Sequence, residues 1–370
     1  MIGRQLNGDP RPSSFFDDSP YKSPLPPGST ENARMRAPMT SFPEIARTCF
    51  GQTGAVILSI VLYFELFSCL AIFYVSIGDH LHTIFHHASI DRLALYTAFL
   101  LVVPTAVLRT PRLLSYLSLV GTIATVFVVL AVFFSAITEG DMSEQAAEDK
   151  GIVMDEPSHI MWNPSGLPLA LGLIAYAFSG HAIVPSIYSS MERPQDFEKM
   201  IHTTFTIVLF CCLLVAISGY CMFGSMVDDQ ITISLGLYSD NTEIAMEMLT
   251  WLMILTAFSK FVLTLFPLAL GTEEIIAPYI HSEKGMERVS SVIKISYIAL
   301  SLLVALYVPS FSFMCSLVGL VCTMIVSVIF PAGAHIKMFA SKLSFFDICI
   351  NWFLVMGGIV ATITGTIATI

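Results

Sequence analysis

The chain has 370 residues, of which 55% are hydrophobic and only 12% are charged. Soluble domains average roughly 45–50% apolar and about 25% charged residues, and the mean hydropathy of this chain is +0.75. These values disfavour a soluble enzyme and a disordered regulator. The formal charge of −10, without a basic tract, also argues against a nucleic-acid partner. Composition therefore predicts an all-α polytopic membrane protein whose surroundings are the lipid bilayer.

The first fifty residues differ from the rest because they are rich in proline and serine and carry mixed charge. Such a composition buries too little apolar surface to offset the entropy of folding. No apolar run follows a basic start, so the segment does not resemble a signal peptide. We predict two regions, a disordered cytosolic tail over residues 1–50 and a transmembrane domain over residues 51–370.

Nine apolar segments follow, and most reach the length of about 20 residues that a helix needs to cross a bilayer. The second is short, and Pro309 separates the seventh from the eighth. An alternative interpretation joins the seventh and eighth into one long kinked helix. The predicted spans are Thr53–Ile77, Leu93–Leu108, Leu113–Thr138, Gly166–Ser190, Thr203–Gly224, Ala245–Gly271, Val289–Val308, Phe311–Phe330 and Phe346–Ile370.

The charges between these segments predict the orientation of the chain. Cytosolic loops carry an excess of Lys and Arg. With nine spans, every Lys and Arg falls on one side except Arg92 and Lys150, on the opposite side, and Lys260, within a span. The opposite side also holds an acidic stretch from Glu139 to Glu156. This separation places the N-terminus in the cytosol.

Three ionisable residues lie near the middle of predicted spans, namely Glu65, Lys260 and His181. Such groups are costly in a bilayer and are candidates for functional sites. Opposite charges in a low dielectric favour pairing, so Glu65 and Lys260 are a candidate ion pair. His181 titrates near neutral pH and is a candidate proton carrier. The alternatives are a structural bridge or a charge that reaches water, and an interior histidine that is fully hydrogen-bonded.

The fourth segment contains a pattern that favours a discontinuous helix. Residues 175–188 read AYAFSGHAIVPSIY. Gly180 loosens the helix, and Pro185 removes a donor and clashes with the carbonyl group of His181. Ser179 can satisfy a freed backbone group. Backbone groups at such a break can hold the carboxylate and the ammonium of an amino acid; an ordinary proline kink is the alternative.

The stretch FSGHAIVPSIYSSMERPQDF resembles the sixth helix of the amino acid/auxin permease family, in its vacuolar amino acid transporter branch. YFELFSCLAIFYVSIGDHL is similar to the family's third helix, SFPEIARTCFG to the loop before it and FSKFVLTLFPLALGTEE to the eighth. The similarity runs from about Ser41 to the C-terminus. The resemblance implies a LeuT-like bundle of eleven helices that starts in the cytosol. It also implies proton-linked or gradient-driven movement of amino acids across vacuolar or lysosomal-type membranes.

The resemblance also suggests residues for the site. Ser179, Gly180, His181 and Ala182 would form the part of the substrate site that the sixth helix supplies, with Ser259 from a facing helix. Glu65 and His181 would couple protons or charge, and Lys260 would balance charge.

The chain departs from the family because the first two helices of the bundle have no counterpart before Thr53. In the family, the first helix forms the substrate site against the sixth. We therefore keep two expectations. One is a shortened transporter, which a homo-oligomer could complete. The other is a non-transporting isoform that regulates a full-length relative.

Enzymatic, metal and cofactor motifs are not apparent in the sequence. His80, His82, His86 and His87 cluster after the first span, and His82 and His86 are spaced as metal ligands on a helix. A third well-spaced ligand is missing, so we predict a solvated loop and no metal site, with a loop that gains charge in an acidic lumen as an alternative. The eight cysteines show no metal spacing or disulfide framework. We expect no enzyme activity and no cofactor.

Taken together, the sequence predicts secondary active transport of an amino acid across a vacuolar or lysosomal-type membrane. A neutral amino acid is favoured because few charged side chains reach the middle of the spans. The expected partners are the amino acid, protons and the bilayer, and proton coupling would take the form of antiport.

Overall fold

The computed structural model describes residues 41–85, 87–107, 111–138, 159–160, 162–238, 243–280, 282–308 and 310–369. Within these ranges every regular element is a helix. The α-helices are α1 (Phe42–Ile84), α2 (Ile90–Val107), α3 (Pro111–Thr138), α4 (Leu167–Ala177), α5 (Val184–Ser190), α6 (Phe197–Phe223), α7 (Ile231–Tyr238), α8 (Glu243–Ile276), α9 (Glu283–Tyr307), α10 (Phe311–Val318), α11 (Phe330–Phe339) and α12 (Phe345–Thr369). Two π-helical turns, Gly319–Thr323 and Ile325–Ile329, join α10 to α11.

The described helices bear out an all-α polytopic membrane protein. Seven helical stretches in the described ranges are long and apolar enough to cross a membrane. The predicted segment Leu93–Leu108 corresponds to α2, which has 18 residues. The predicted segment Gly166–Ser190 is divided between α4 and α5. Each of the nine predicted segments thus falls on helical structure. Nine crossings stay a prediction, because Leu93–Leu108 and Gly166–Ser190 are not among the seven helical stretches that are long and apolar enough to cross a membrane.

The boundary between the seventh and eighth predicted segments is a helix end. α9 ends at Tyr307, and α10 begins at Phe311 after Ser310, whose hydroxyl accepts a hydrogen bond from the amide of Phe313. Ser310 therefore caps a new helix. The segments are two helices and not one kinked helix.

α1 is the longest helix, and it begins before the expected limit of the tail. Its first part packs Phe42 and Cys49 against Phe330 and Val326, from the other end of the sequence. Gly51 then interrupts the helix with a φ of 73°, which favours glycine. We expected a disordered tail over residues 1–50; residues 1–40 lie outside the described part, whereas Phe42–Phe50 is helical because its apolar face is covered.

The core of the bundle lies around α1. Leu70 and Tyr74 of α1 pack against Phe261 and Leu265 of α8, and Tyr74 meets the ring of Phe261 edge to face at 5.2 Å. Ala71 and Ile72, on the opposite face of α1, pack against α10. α3, α6, α7 and α8 share a separate cluster. α1 is therefore the element against which the broken segment and the π-helical turns are held.

Candidate functional site

The broken helix is present in the structure. α4 ends with Ala177, and Gly180 takes a φ of 131°, a conformation open to glycine and strained for other residues. A short 3₁₀ turn, His181–Ile183, leads into α5. Pro185 lies in the first turn of α5, where its missing N–H costs no helical hydrogen bond. The chain is thus interrupted at Gly180, and Pro185 lies in the first turn of the second half, which differs from an ordinary proline kink.

The break exposes part of its backbone beside an aromatic cluster. Ser179 and Gly180 are exposed, and His181 is half-buried. The ring of Phe205, on α6, is stacked on Phe178 with centroids 6.2 Å apart and lies 5.4 Å from the imidazole of His181. The Nδ1 atom of His181 is buried and has no hydrogen-bond partner within the described ranges. The fully bonded interior histidine expected as an alternative is therefore not what the structure shows.

Three of the residues predicted for the break are consecutive at the interruption. Ser179 and Gly180 lie between α4 and the 3₁₀ turn, and His181 begins that turn. Ala182 follows within the 3₁₀ turn, but its side chain lies outside the described part. The 3₁₀ turn contacts α1 and the second π-helical turn. The 3₁₀ turn after the break therefore packs on α1, the helix that carries a buried acidic residue.

That acidic residue is Glu65, in the middle of α1, whose surface is only 8% exposed. The hydroxyl of Thr323 donates a hydrogen bond of 2.8 Å to Oε1 of Glu65. Thr323 itself is 1% exposed, so the contact is shielded from solvent. A charge-assisted hydrogen bond of this kind stabilises a buried carboxylate.

The predicted ion pair between Glu65 and Lys260 is wrong. Among the described residues, the carboxylate of Glu65 bonds to Thr323 and forms no ion pair with Lys260. The side chain of Lys260 is exposed, while Phe261 beside it is buried against α1. The two charges lie on neighbouring helices, but the face of α8 that packs on α1 is apolar.

Ser259 faces α3. Its hydroxyl donates a hydrogen bond of 2.7 Å to the carbonyl oxygen of Leu117, and its side chain is fully buried. A Cβ atom on Gly121 of α3 would collide with it. The hydroxyl of Ser259 is thus already used in packing α3 on α8, and the structure does not bring it to the broken helix.

Two features of the site were not foreseen from the sequence. One is the pair of π-helical turns, a rare geometry that recurs at functional sites. The other is the direct backbone contact between Gly172 of α4 and Gly319 of the first π turn, where a Cβ on Gly319 would overlap the carbonyl oxygen of Gly172. The only indication of this contact in the sequence is that Gly172 and Gly319 each lie inside an apolar segment, since small residues allow close helix packing in membranes.

The solvated loop predicted for the histidine cluster is wrong for His80 and His82, which lie in the last turns of α1. His80 is buried, and its nitrogens lie 2.7 Å from the carbonyl oxygen of Ser76 and 2.7 Å from the hydroxyl of Thr232. His86 lies outside the described residues. In the described part of the chain, no group of three or more His, Cys, Asp or Glu side chains is arranged to hold a metal ion. All eight cysteines are free thiols in the structure.

A second polar network surrounds His80. Ser76 and Asp79 of α1 bind the side chain of Gln230 at 2.8 Å each. Asp229, next to Gln230, accepts a hydrogen bond of 2.7 Å from the hydroxyl of Ser312 at the start of α10. The short segment between α6 and α7 therefore ties α1 to α10.

The fold and this site define a class: a multi-pass helical membrane protein with one discontinuous helix held against a long central helix. The sequence model described as "transmembrane amino acid transporter protein" matches residues 30–370. The chain belongs to this family.

Similar proteins include three amino acid transporters of Arabidopsis thaliana. AVT1B is 31% identical over 336 residues, which cover 88% of this chain and 58% of that protein. AVT1C is 31% identical over 89% of this chain and 58% of that protein. AVT1E is 29% identical over 89% of this chain and 61% of that protein. The chain thus spans about three-fifths of the length of these relatives.

Proposed function

We propose that this protein transports amino acids by a secondary active mechanism in which protons are exchanged for substrate. Two facts support the proposal: the family to which the chain belongs, and the names of its relatives as amino acid transporters. The observation that carries it is the break at Gly180, which is followed by a 3₁₀ turn in contact with α1, the helix that carries Glu65. A LeuT-like arrangement of the helices is part of the proposal.

The substrate is proposed to bind at Ser179, Gly180, His181 and Ala182. Carbonyl groups at the end of α4 favour an ammonium group, because the C-terminal end of a helix carries partial negative charge. The rings of Phe178 and Phe205 and the buried, unbonded Nδ1 of His181 lie beside the break. This lining suits a neutral amino acid better than a charged one, since burying a second charge would be costly.

Proton coupling is assigned to Glu65 and His181. Glu65 is a buried carboxylate without an ion pair in the described part of the chain, so its charge is free to change during transport. Lys260 is proposed to balance charge from the neighbouring helix, without direct contact with Glu65. Ser259 remains a weaker substrate candidate because its hydroxyl bonds to α3.

The membrane is proposed to be vacuolar or lysosomal in type, with the N-terminus in the cytosol. The resemblance of the helices to the vacuolar branch supports the compartment. The Lys and Arg residues between the spans support the orientation, since cytosolic loops carry the positive charges. In such a compartment an outward proton gradient from the lumen would drive uptake from the cytosol.

A second candidate function is a non-transporting subunit that associates with a longer relative or with copies of itself. It is the alternative that the sequence leaves open, and the uptake experiment below decides between it and transport. Purification of the tagged chain together with a full-length relative, without uptake by the chain alone, would support this candidate.

The deciding experiment is uptake by the purified chain in liposomes with an imposed pH gradient and a pool of labelled amino acids. We expect saturable uptake that a protonophore abolishes, and a loss of about tenfold in the gradient-dependent rate for Glu65→Gln. Glu198→Gln, an exposed carboxylate on α6, is the matched control and should behave like the parent. Absence of uptake by folded protein, in liposomes where a full-length relative is active, would contradict the transport proposal.

A further inference from the structure

The contact between Glu65 and Thr323 joins the middle of α1 to the first π-helical turn. The donor is the hydroxyl of Thr323 and the acceptor is Oε1 of Glu65, at 2.8 Å. Both residues are buried, and no cation among the described residues forms an ion pair with Glu65. The hydroxyl of Thr323 is therefore the group that holds the carboxylate in place.

Glu65 is the carboxylic acid of this buried contact, so it is the group there that can exchange a proton. The titratable groups that interact with it are the thiols of Cys69 and Cys322 and the phenol of Tyr176. Thiols and phenols are neutral near pH 7. His181, on the 3₁₀ turn that contacts α1, is the other ionisable side chain of the neighbouring elements.

Thr323 occupies the last position of the π turn that begins at Gly319. A π turn contains one residue more than an α turn, so a shift of its hydrogen bonds by one residue would convert it to an α-helical register. Gly319 lies directly on the backbone of Gly172 in α4, and a Cβ at Gly172 would overlap Ser316. A displacement of this turn is therefore passed to α4, whose C-terminal end leads to the break at Gly180.

We propose that Thr323 is the positioning residue through which the protonation state of Glu65 acts on the π-helical turns and, through Gly319 and Gly172, on the broken helix. When Glu65 is ionised, Thr323 donates to a carboxylate, and the turn is held against α1. When Glu65 takes up a proton, the same hydroxyl faces a neutral carboxyl group, and the bond is roughly half as strong. This inference rests on the proposed function, because it gives a route from the proton to the substrate site.

The first test measures Glu65 itself and needs no transport. Dicyclohexylcarbodiimide modifies protonated carboxyl groups in apolar surroundings, and mass spectrometry identifies the modified residue. The extent of modification of Glu65 is measured against pH for the parent chain, Thr323→Val and Thr323→Ser. Removal of the hydroxyl makes protonation of Glu65 easier, so we expect the midpoint for Thr323→Val to rise by about one pH unit, a tenfold change in proton affinity.

Thr323→Ser keeps the hydroxyl and should restore the midpoint of the parent chain. Asp79 lies on the same helix and binds Gln230, so its modification serves as an internal reference that the substitutions should not change. An unchanged midpoint in Thr323→Val, or an equal shift in Thr323→Ser, would overturn the inference. Valine has nearly the same shape as threonine but lacks the hydroxyl, whereas serine keeps the hydroxyl and lacks the methyl group. If Thr323 only filled space, Thr323→Val would keep the midpoint of the parent chain.

The second test follows the link to the broken helix by hydrogen exchange at one fixed pH. Glu65→Gln imitates the protonated residue, and Thr323→Val removes its partner. Both are expected to exchange faster than the parent chain in the peptides that cover residues 319–329 and 172–183. Faster exchange confined to residues 319–329 would refute the transmission to α4.

The two proposals fail separately. If uptake occurs but its pH dependence is the same in Thr323→Val and the parent chain, the role of Thr323 is wrong and transport stands. If no variant transports while the modification midpoint of Glu65 shifts as expected, transport is wrong and the contact between Thr323 and Glu65 has the assigned effect.

Discussion

The imidazole of His80 joins α1 to α7, because its Nε2 lies 2.7 Å from the hydroxyl of Thr232 and its Nδ1 lies 2.7 Å from the carbonyl oxygen of Ser76. Only 1% of the surface of His80 is exposed. Both nitrogens are used within the bundle, so His80 is a packing residue with polar partners and not an available metal ligand.

Replacement of His80 by alanine is expected to destabilise the protein by about 2–4 kcal/mol, since it removes two buried hydrogen bonds and leaves a cavity. The measurement is the thermal unfolding midpoint in detergent, followed by size-exclusion fluorescence. His87→Ala, at an exposed position of the same histidine cluster, is the control and should leave the midpoint unchanged. Equal midpoints for both variants would show that the buried contacts of His80 contribute nothing.

Asp229 is expected to stabilise the junction between α7 and α10. Its oxygens accept hydrogen bonds from the hydroxyl of Ser312 at 2.7 Å and from the hydroxyl of Ser310 at 3.2 Å. Asp229→Asn keeps the shape but loses one acceptor oxygen and the charge, so we expect a loss of about 1–2 kcal/mol in the free energy of unfolding.

A double-mutant cycle checks the assignment of Asp229. Ser312→Ala should be nearly silent in the background of Asp229→Ala, because that substitution already removes the oxygen that accepts from Ser312. Additive losses would instead show that Asp229 and Ser312 contribute independently.

Gly319→Ala is expected to destabilise the protein by about 2–3 kcal/mol, because the added Cβ would overlap the carbonyl oxygen of Gly172 and force the two backbones apart. Gly357→Ala is the matched control, since a Cβ there has no atom within 4 Å. In a helix that control should gain about 0.5–1 kcal/mol. Thermal midpoints measure both, and a neutral Gly319→Ala would contradict the close contact of α4 with the π turn.

Gly180→Ala should strain the break by about 1–3 kcal/mol, since alanine does not readily adopt a φ of 131°. The expected consequence is faster hydrogen exchange around residues 178–183 and reduced uptake in liposomes. Gly78→Ala is a control within α1, where an added Cβ has open space. A Gly180→Ala variant with unchanged exchange and uptake would mean that the conformation of Gly180 is not required.

Part of the site could be inferred from the sequence, because bilayer physics makes certain residues conspicuous. Glu65 and His181 are ionisable groups in apolar segments, and Gly180 with Pro185 marks an interruption of the helical pattern. The helical ends near Pro309 could likewise be read from local chemistry. These inferences need only the neighbours of a residue along the chain.

The partner of Glu65 could not be inferred in this way. Charge complementarity indicated Lys260, whereas the structure gives Thr323, which lies 258 positions away in the sequence. The face of α8 that packs against α1 is formed by the apolar residues around Phe261. Because every face of these helices is largely apolar, the sequence pattern does not indicate which face packs inward. The π turns were equally hidden, because no residue type in Gly319–Ile329 demands them.

α12 has 25 residues, which correspond to about 37 Å of helix, more than the roughly 30 Å of a hydrocarbon core. Most of its surface is exposed, while Gly365 and Gly358 rest on Leu320 and Ile329 of the two π turns. A helix longer than the membrane is thick adapts by tilting. We therefore expect the thickness of the bilayer, and with it the lipid chain length, to act on the π turn whose Thr323 binds Glu65.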